Sequence, residues 1–154
     1  MNDSATRPTP RPEDCLAGGG AMGALMRSLD WSATPLGAVS TWPQSLRTTI
    51  SLMLESRFAM VVAWGPDYRF FYNDRYRPVL GAKHPAALAK PGAEIFPEVW
   101  GMVGPEFDRA WSGEPFEFED WLLPLDRNGY LESCWFTVSY SPIRDESGGV
   151  GGVL

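Results

Sequence analysis

Histidine occurs once in this 154-residue chain, at His84, and cysteine twice, at Cys15 and Cys134. Each scarcity removes a class of chemistry. No spacing of His and Cys makes a metal-ligand set. A nucleophilic triad also needs an imidazole beside Ser or Cys, and no such pairing is visible around His84. Two cysteines make no disulfide framework. Joining them would tie a tail to an inner strand, so free thiols are expected. Runs of Lys or Arg are missing as well. Thirteen basic residues lie scattered among 19 acidic ones, for a formal net charge of −6 and a pI near 4.7, which disfavours nucleic acid and anionic membrane as partners. No stretch approaches the ~20 apolar residues that cross a bilayer. The opening MNDSATRPTPRPEDC carries proline and charge where a signal peptide carries an apolar core. The expected location is cytoplasmic.

Aromatic rings are plentiful. Aromatic residues make up 13% of the chain, seven of them Trp, within a hydrophobic total of 44%. A chain of this length fits one domain with appended segments. Large flat side chains bury much area, and they also line ligand pockets and interfaces.

Residues 1–20 hold Pro8, Pro10, Pro12 and Gly18-Gly19-Gly20 and read as a flexible leader. Residues 21–56 read as an N-terminal helical extension. Ala21–Leu29 has the pattern of a short amphipathic helix. Pro35 and Gly37 then interrupt helix, yet Trp31, Leu36, Val39 and Trp42 demand packing. Ser40 or Thr41 can cap a helix with Pro43 in its first turn. Leu46, Ile50, Met53 and Leu54 follow at helical spacing, with Leu52 widening the stripe.

Residues 57–154 read as the main domain. An apolar strand, Phe58–Trp64, meets a turn at Gly65-Pro66-Asp67, and a second strand follows at Arg69–Tyr72. Asn73-Asp74 suits the handover from strand to helix, because both side chains bond nearby backbone. The short helix after them ends at Gly81. Brief helical turns are expected at 86–89 and 94–100, and a firmer helix opens at Pro105, carries Val103, Phe107, Ala110 and Trp111 on one face, and stops at Gly113. Pro115–Leu125 and Tyr130–Ile143 flank Asp126-Arg127-Asn128-Gly129, a strong hairpin signal. Asp145–Gly149 is a further turn, and Val150–Leu154 begins a final strand, with Leu154 expected inside that strand or at its end.

This order of elements resembles a PAS domain over roughly Arg57 to the end. Asn73 after the second strand, Gly81 closing the next helix and the hairpin LPLDRNGYLESCWFTVSYSPIRDESGG carry the likeness. The upstream phrase LDWSATPLGAVSTWPQSLRTTISLMLESRF resembles the leader of PAS-containing bacterial sensor histidine kinases. The resemblance implies an α+β fold: a five-stranded antiparallel sheet with short helices on one face, preceded by the helical extension. It also implies a sensory front end of a two-component system without its own catalysis, since no phosphoacceptor helix or ATP-binding box is visible. The mechanism implied is a population shift passed to a downstream kinase region through a homodimer built on the N-terminal helix. A helix lying across its own sheet is the simpler alternative.

The PAS cavity lies between sheet and short helices. The elements that line it would contribute Tyr72, Tyr76, Phe96, Trp100, Phe107, Trp111, Trp121 and Phe136, with Asn73 or Tyr140 as a polar anchor for a small aromatic or apolar ligand. Simple filling of the space by these rings is the competing reading. Haem is not expected, because the long helix from Pro105 to Gly113 carries no histidine and His84 reads as a surface loop residue. Cysteinyl-flavin photochemistry is not expected either, because Cys134 sits on a strand in Glu-Ser-Cys-Trp. Cys15 lacks the surroundings of a bilin-attaching cysteine. Glu117 and Glu119 should face away from Phe116 and Phe118, with Asp120 on the Phe side. The glycine runs lack the lysine and helix of a phosphate loop. Two other functions fit: a small α+β enzyme or binding protein using the aromatic cavity with Glu94 or Asp120 as acid or base, and a dimerisation module with no cavity.

Overall fold

The computed structural model describes residues 7–154; the first six residues of the expected leader lie outside it. The strands are β1 (Val61–Trp64), β2 (Arg69–Tyr72), β3 (Phe116–Asp126), β4 (Leu131–Tyr140), β5 (Pro142–Arg144) and β6 (Val150–Val153). The helices are α1 (Gly20–Ser28), α2 (Gln44–Glu55), α3 (Arg77–Leu80), α4 (Gly92–Ile95) and α5 (Trp100–Trp111), with several 3-10 turns between them. The result is an α+β domain with antiparallel strands and short helices between β2 and β3.

The single five-stranded sheet is replaced by two sheets: four strands in the order β2-β1-β6-β5, and the pair β3-β4. The expected strand 130–143 is interrupted at Ser141, before Pro142, whose missing N–H cannot extend a ladder. The two sheets stay in register through that residue. Ser141 and Leu154 exchange both backbone hydrogen bonds at 2.9 Å, which continues the β5–β6 ladder to the end of β4.

The N-terminal segment packs on the face of β1–β2 turned away from the short helices. Phe71 points outward between Trp31 and Trp42, with ring centroids 5.4 Å from each, and the two indoles meet edge-on at 5.0 Å. Trp31 donates its indole N–H to the Met26 carbonyl, and Trp42 donates to Gly37, so these deeply buried rings leave no polar atom unpaired. Helix α2 buries Leu46, Ile50, Met53 and Leu54 against the same sheet. Its apolar stripe is thus occupied within the chain, and Leu52 remains outside, 67% exposed.

Two distant carboxylates fasten this segment. Pro43, not Ser40 or Thr41, occupies the N-cap of α2 and offers no side-chain acceptor. Glu146, from the turn before β6, supplies one: it accepts from Ser45 N (2.6 Å) and Ser45 Oγ (2.9 Å). These bonds hold its carboxyl below the usual carboxylate range. Asp74 caps α1, accepting from Ala21 N at 2.9 Å and Met22 N at 3.0 Å. Negative charge at a helix N-terminus meets orphan N–H groups and the positive end of the macrodipole.

The expected leader is therefore not free along its described part. Pro12–Leu16 forms a 3-10 helix, Leu16 is buried, and Arg27 donates to the Leu16 and Gly18 carbonyls. Pro105 also departs from expectation. Helix α5 starts five residues earlier, at Trp100, and carries Pro105 inside, which forgoes one intrahelical bond. Strand β1 begins only at Val61, and Phe58 is 82% exposed.

Candidate functional site

Asn73 fixes the framework of the site. It is buried, and its amide uses every hydrogen-bonding position it has. Nδ2 donates to the Met53 carbonyl (2.9 Å) and the Phe58 carbonyl (2.8 Å); Oδ1 accepts from Met60 N and Tyr76 N, both at 3.2 Å. One side chain thus joins the end of α2, the entry to β1 and the first turn after β2. Asn73 is a structural tie, and no group on it is left for a ligand.

Behind that tie lies a cavity of about 550 Å³ between the inner sheet face, α5 and the turns before it. Tyr76, Phe96, Trp100, Phe107, Phe136 and Tyr140 of the expected set line it. The other expected residues are placed elsewhere. Tyr72 is wholly buried beneath the loop that follows α3, and its hydroxyl bonds His84 Nδ1 at 3.0 Å. That burial raises the Tyr72 phenol to about 12. His84 is consequently no free surface residue; burial, and secondarily Arg77, lower its basicity. Trp111 packs edge-on against Tyr68 at 5.8 Å and does not reach the cavity.

Trp121 stacks beside Phe118 at 4.5 Å, also outside the lining. The cause is a β-bulge. Phe118 pairs with Val138, but the next inward pair is Trp121 with Phe136, so three steps on β3 answer two on β4. Asp120 takes a φ of +50° there and is exposed, which corrects its expected place beside the phenylalanines. Glu94 is exposed too. Neither carboxylate proposed for acid–base work touches the cavity.

Several lining residues had escaped sequence reasoning: Met60, Val61, Val79, Val99, Val103, Leu123, Leu125 and Val138 among them. They are ordinary aliphatics; strand alternation could have marked Leu123, Leu125 and Val138, whereas Val79 and Val103 lie on helices. The cavity lining is mainly apolar, with Thr137, Ser139 and Ser141 at its border and two phenols, Tyr76 and Tyr140. No described residue bonds to either hydroxyl. Burial drives both well above the ordinary tyrosine range; the neighbouring phenol adds to the effect at Tyr76, and the Glu106 carboxylate adds to it at Tyr140. Both stay protonated and can donate. Glu106 Oε2 is itself buried without a hydrogen bond, Arg109 standing 3.9 Å away. Among the described residues no cluster of His, Cys, Asp and Glu could hold a metal. Among the described residues no helix is long and apolar enough to cross a membrane.

The family profile described as PAS fold matches residues 54–154, the span that contains the tie, the cavity and every strand. The chain belongs to the PAS-fold family. No curated protein matches it. Among solved structures, one titled "Structure of an RNA-binding Light-Oxygen-Voltage Receptor" is similar at 16% identity and a TM-score of 0.49. The alignment covers 75% of this chain and 33% of that one, so this PAS domain spans about a third of its neighbour's length. A likeness at that level carries no argument about activity.

Proposed function

We propose that this PAS domain is the sensory region of a two-component sensor histidine kinase and that its cavity takes a small aromatic or apolar ligand. The observation that carries the reading is the pair of half-buried phenols, Tyr76 and Tyr140, in a mainly apolar cavity, their hydroxyls bonded to no described residue. A flat apolar molecule with one acceptor atom would fill the space and take a hydrogen bond from Tyr76 or Tyr140. The cavity volume of about 550 Å³ falls within the range of small-molecule sites. The kinase context rests on the resemblance of the stretch from Leu29 to Phe58 to the leaders of such sensors.

In this reading, occupancy biases packing between the cavity walls and the outer segment, and a homodimer passes the bias on. Leu52 and Phe58, both exposed beside the junction of α2 and β1, are the apolar groups such a dimer would use. Native mass spectrometry and an absorption spectrum of freshly purified protein test the ligand. Bound mass, or saturable binding of 2-naphthol that weakens at least about fivefold in Tyr140→Phe, is the expected result. Neither bound mass nor probe binding would overturn it. Autophosphorylation of a longer product containing this chain tests the kinase context.

A further inference from the structure

We propose that a second pocket, beside α3, binds a small zwitterion of the α-amino-acid kind, its carboxylate held by Arg77 and His84 and its ammonium group by Asp74. The site lies outside the aromatic cavity, and the inference does not need the ligand reading given for that cavity. The pocket measures about 340 Å³ and is lined by Asp74, Arg77, Pro78, Gly81 and His84. All five belong to the stretch that Asn73 opens by capping the turn after β2 and that runs past Gly81 at the end of α3.

Each polar group in the pocket keeps hydrogen-bonding capacity. Tyr72 is wholly buried, and the one described bond of its hydroxyl is to His84 Nδ1, at 3.0 Å. A buried hydroxyl without an acceptor is costly, so Tyr72 donates to Nδ1 and the imidazole carries its proton on Nε2. Nε2–H is then a donor with no described partner. The ring stands edge-on to Tyr72 at 5.8 Å. Burial and the Arg77 charge lower its basicity, so near neutrality it is an uncharged donor. Arg77 has five N–H groups, and the one described contact of its side chain is Asp74 Oδ1 at 3.5 Å. Asp74 accepts from Ala21 N and Met22 N, one on each oxygen. A carboxylate has about four acceptor positions, which leaves room for an ammonium proton.

The arrangement of charge selects the occupant. A simple anion would meet the Asp74 carboxylate, and a simple cation would meet the Arg77 guanidinium. Neighbouring groups of opposite sign on one small molecule match both. Arg127, which reaches the Pro78 carbonyl from the β3–β4 hairpin, is already paired with Glu132. Pro78 and Gly81 complete the lining without charge. An occupant would touch both the carboxylate that caps α1 and the imidazole that satisfies Tyr72, joining the outer segment to the inner sheet face.

His84 is the only histidine, so its ring C–H resonances report on this pocket unambiguously. The test is an NMR titration of the unmodified chain, near neutral pH, with glycine, acetate and methylammonium. We expect glycine to move those resonances saturably, with an affinity at least about tenfold above that of acetate or methylammonium. Arg77→Gln should weaken glycine at least about tenfold while the circular dichroism stays unchanged. Should that variant fail to fold, the three probes on the unmodified chain still decide. Acetate or methylammonium binding as tightly as glycine, glycine binding that survives Arg77→Gln, or no saturable shift with glycine would each overturn the proposal. So would competition by 2-naphthol, which would put glycine in the aromatic cavity.

Discussion

The two ends of the sheet are treated very differently. At the β1–β2 end both faces are covered: Phe70 turns toward the helices, while Phe71 is enclosed outside by Trp31 and Trp42. At the β3–β4 end only the inner face is covered. Leu123 and Leu125 are buried there, yet Leu122 and Trp135, paired across the outer face, are 40% and 65% exposed. The same kind of apolar strand surface therefore contributes to the core at one end and lies open at the other. What differs is the N-terminal segment, which reaches only the first half. A PAS domain built this way has one end covered on both faces and one end covered on its inner face alone.

Substitutions of matched size should expose that difference most strongly. Trp42→Ala removes a ring from the packed cluster on Phe71 and should cost about 3–5 kcal/mol in urea unfolding. Trp135→Ala, an equal truncation on the open face, should stay within about 0.5 kcal/mol. Equal costs would break the comparison.

Asn73→Ala comes next. It leaves the Phe58 carbonyl and Met60 N without a partner and takes one of two partners from the Met53 carbonyl and from Tyr76 N, and should cost about 2–4 kcal/mol. Asn73→Asp keeps the acceptor but loses both donors, so it should recover only part of that stability.

Gly81→Ala probes the tip of the open end. Gly81 has φ +55°, and a Cβ there would meet the Arg127 carbonyl at 2.5 Å. Ala82 N also bonds that carbonyl, and Glu98 accepts from Asp126 N. Strain and a displaced tip should together cost about 1–3 kcal/mol, with altered chemical shifts near residues 126–129 and none near Trp31.

Glu146→Gln should have the smallest effect, and a pH-dependent one. A carboxyl held below its ordinary value stabilises the fold above its unfolded pKa, and that contribution disappears as pH falls through the folded one. The melting-temperature gap between wild type and variant should therefore be widest near neutrality and close in acid. A gap that does not change with pH would remove Glu146 as the cap of α2.

Much of the architecture was legible because short-range chemistry dictated it. Asn73-Asp74, Gly81 and Asn128-Gly129 each require a particular local backbone, and each sits where that requirement placed it. Phe136 and Tyr140 were assigned to the cavity from the elements that line it in the resembled family, and they line it here. The same assignment failed for Trp121, and strict alternation failed for Asp120, because a bulge shifts the phase of β3 between Phe118 and Trp121. Asn73 was correctly seen as a handover residue, but its four partners come from three separated segments that no local pattern brings together. The clasp was hidden for the same reason. Pro8, Pro10, Pro12 and the glycine run suggest freedom, whereas Leu16 is held by α2 and by Arg27, and the caps of α1 and α2 come from carboxylates more than 50 residues away. Helix α2 carries a stripe suited to a partner helix, and only the fold shows that its own sheet takes it.

The central claim, a sheet clasped at one end and open at the other, is tested most directly by native-state hydrogen exchange on the unmodified chain. The amides of Val62 and Phe71 should exchange only through global unfolding, while those of Leu123 and Cys134, paired on β3 and β4, exchange far faster through local opening. Uniform protection across both ends of the sheet would contradict it.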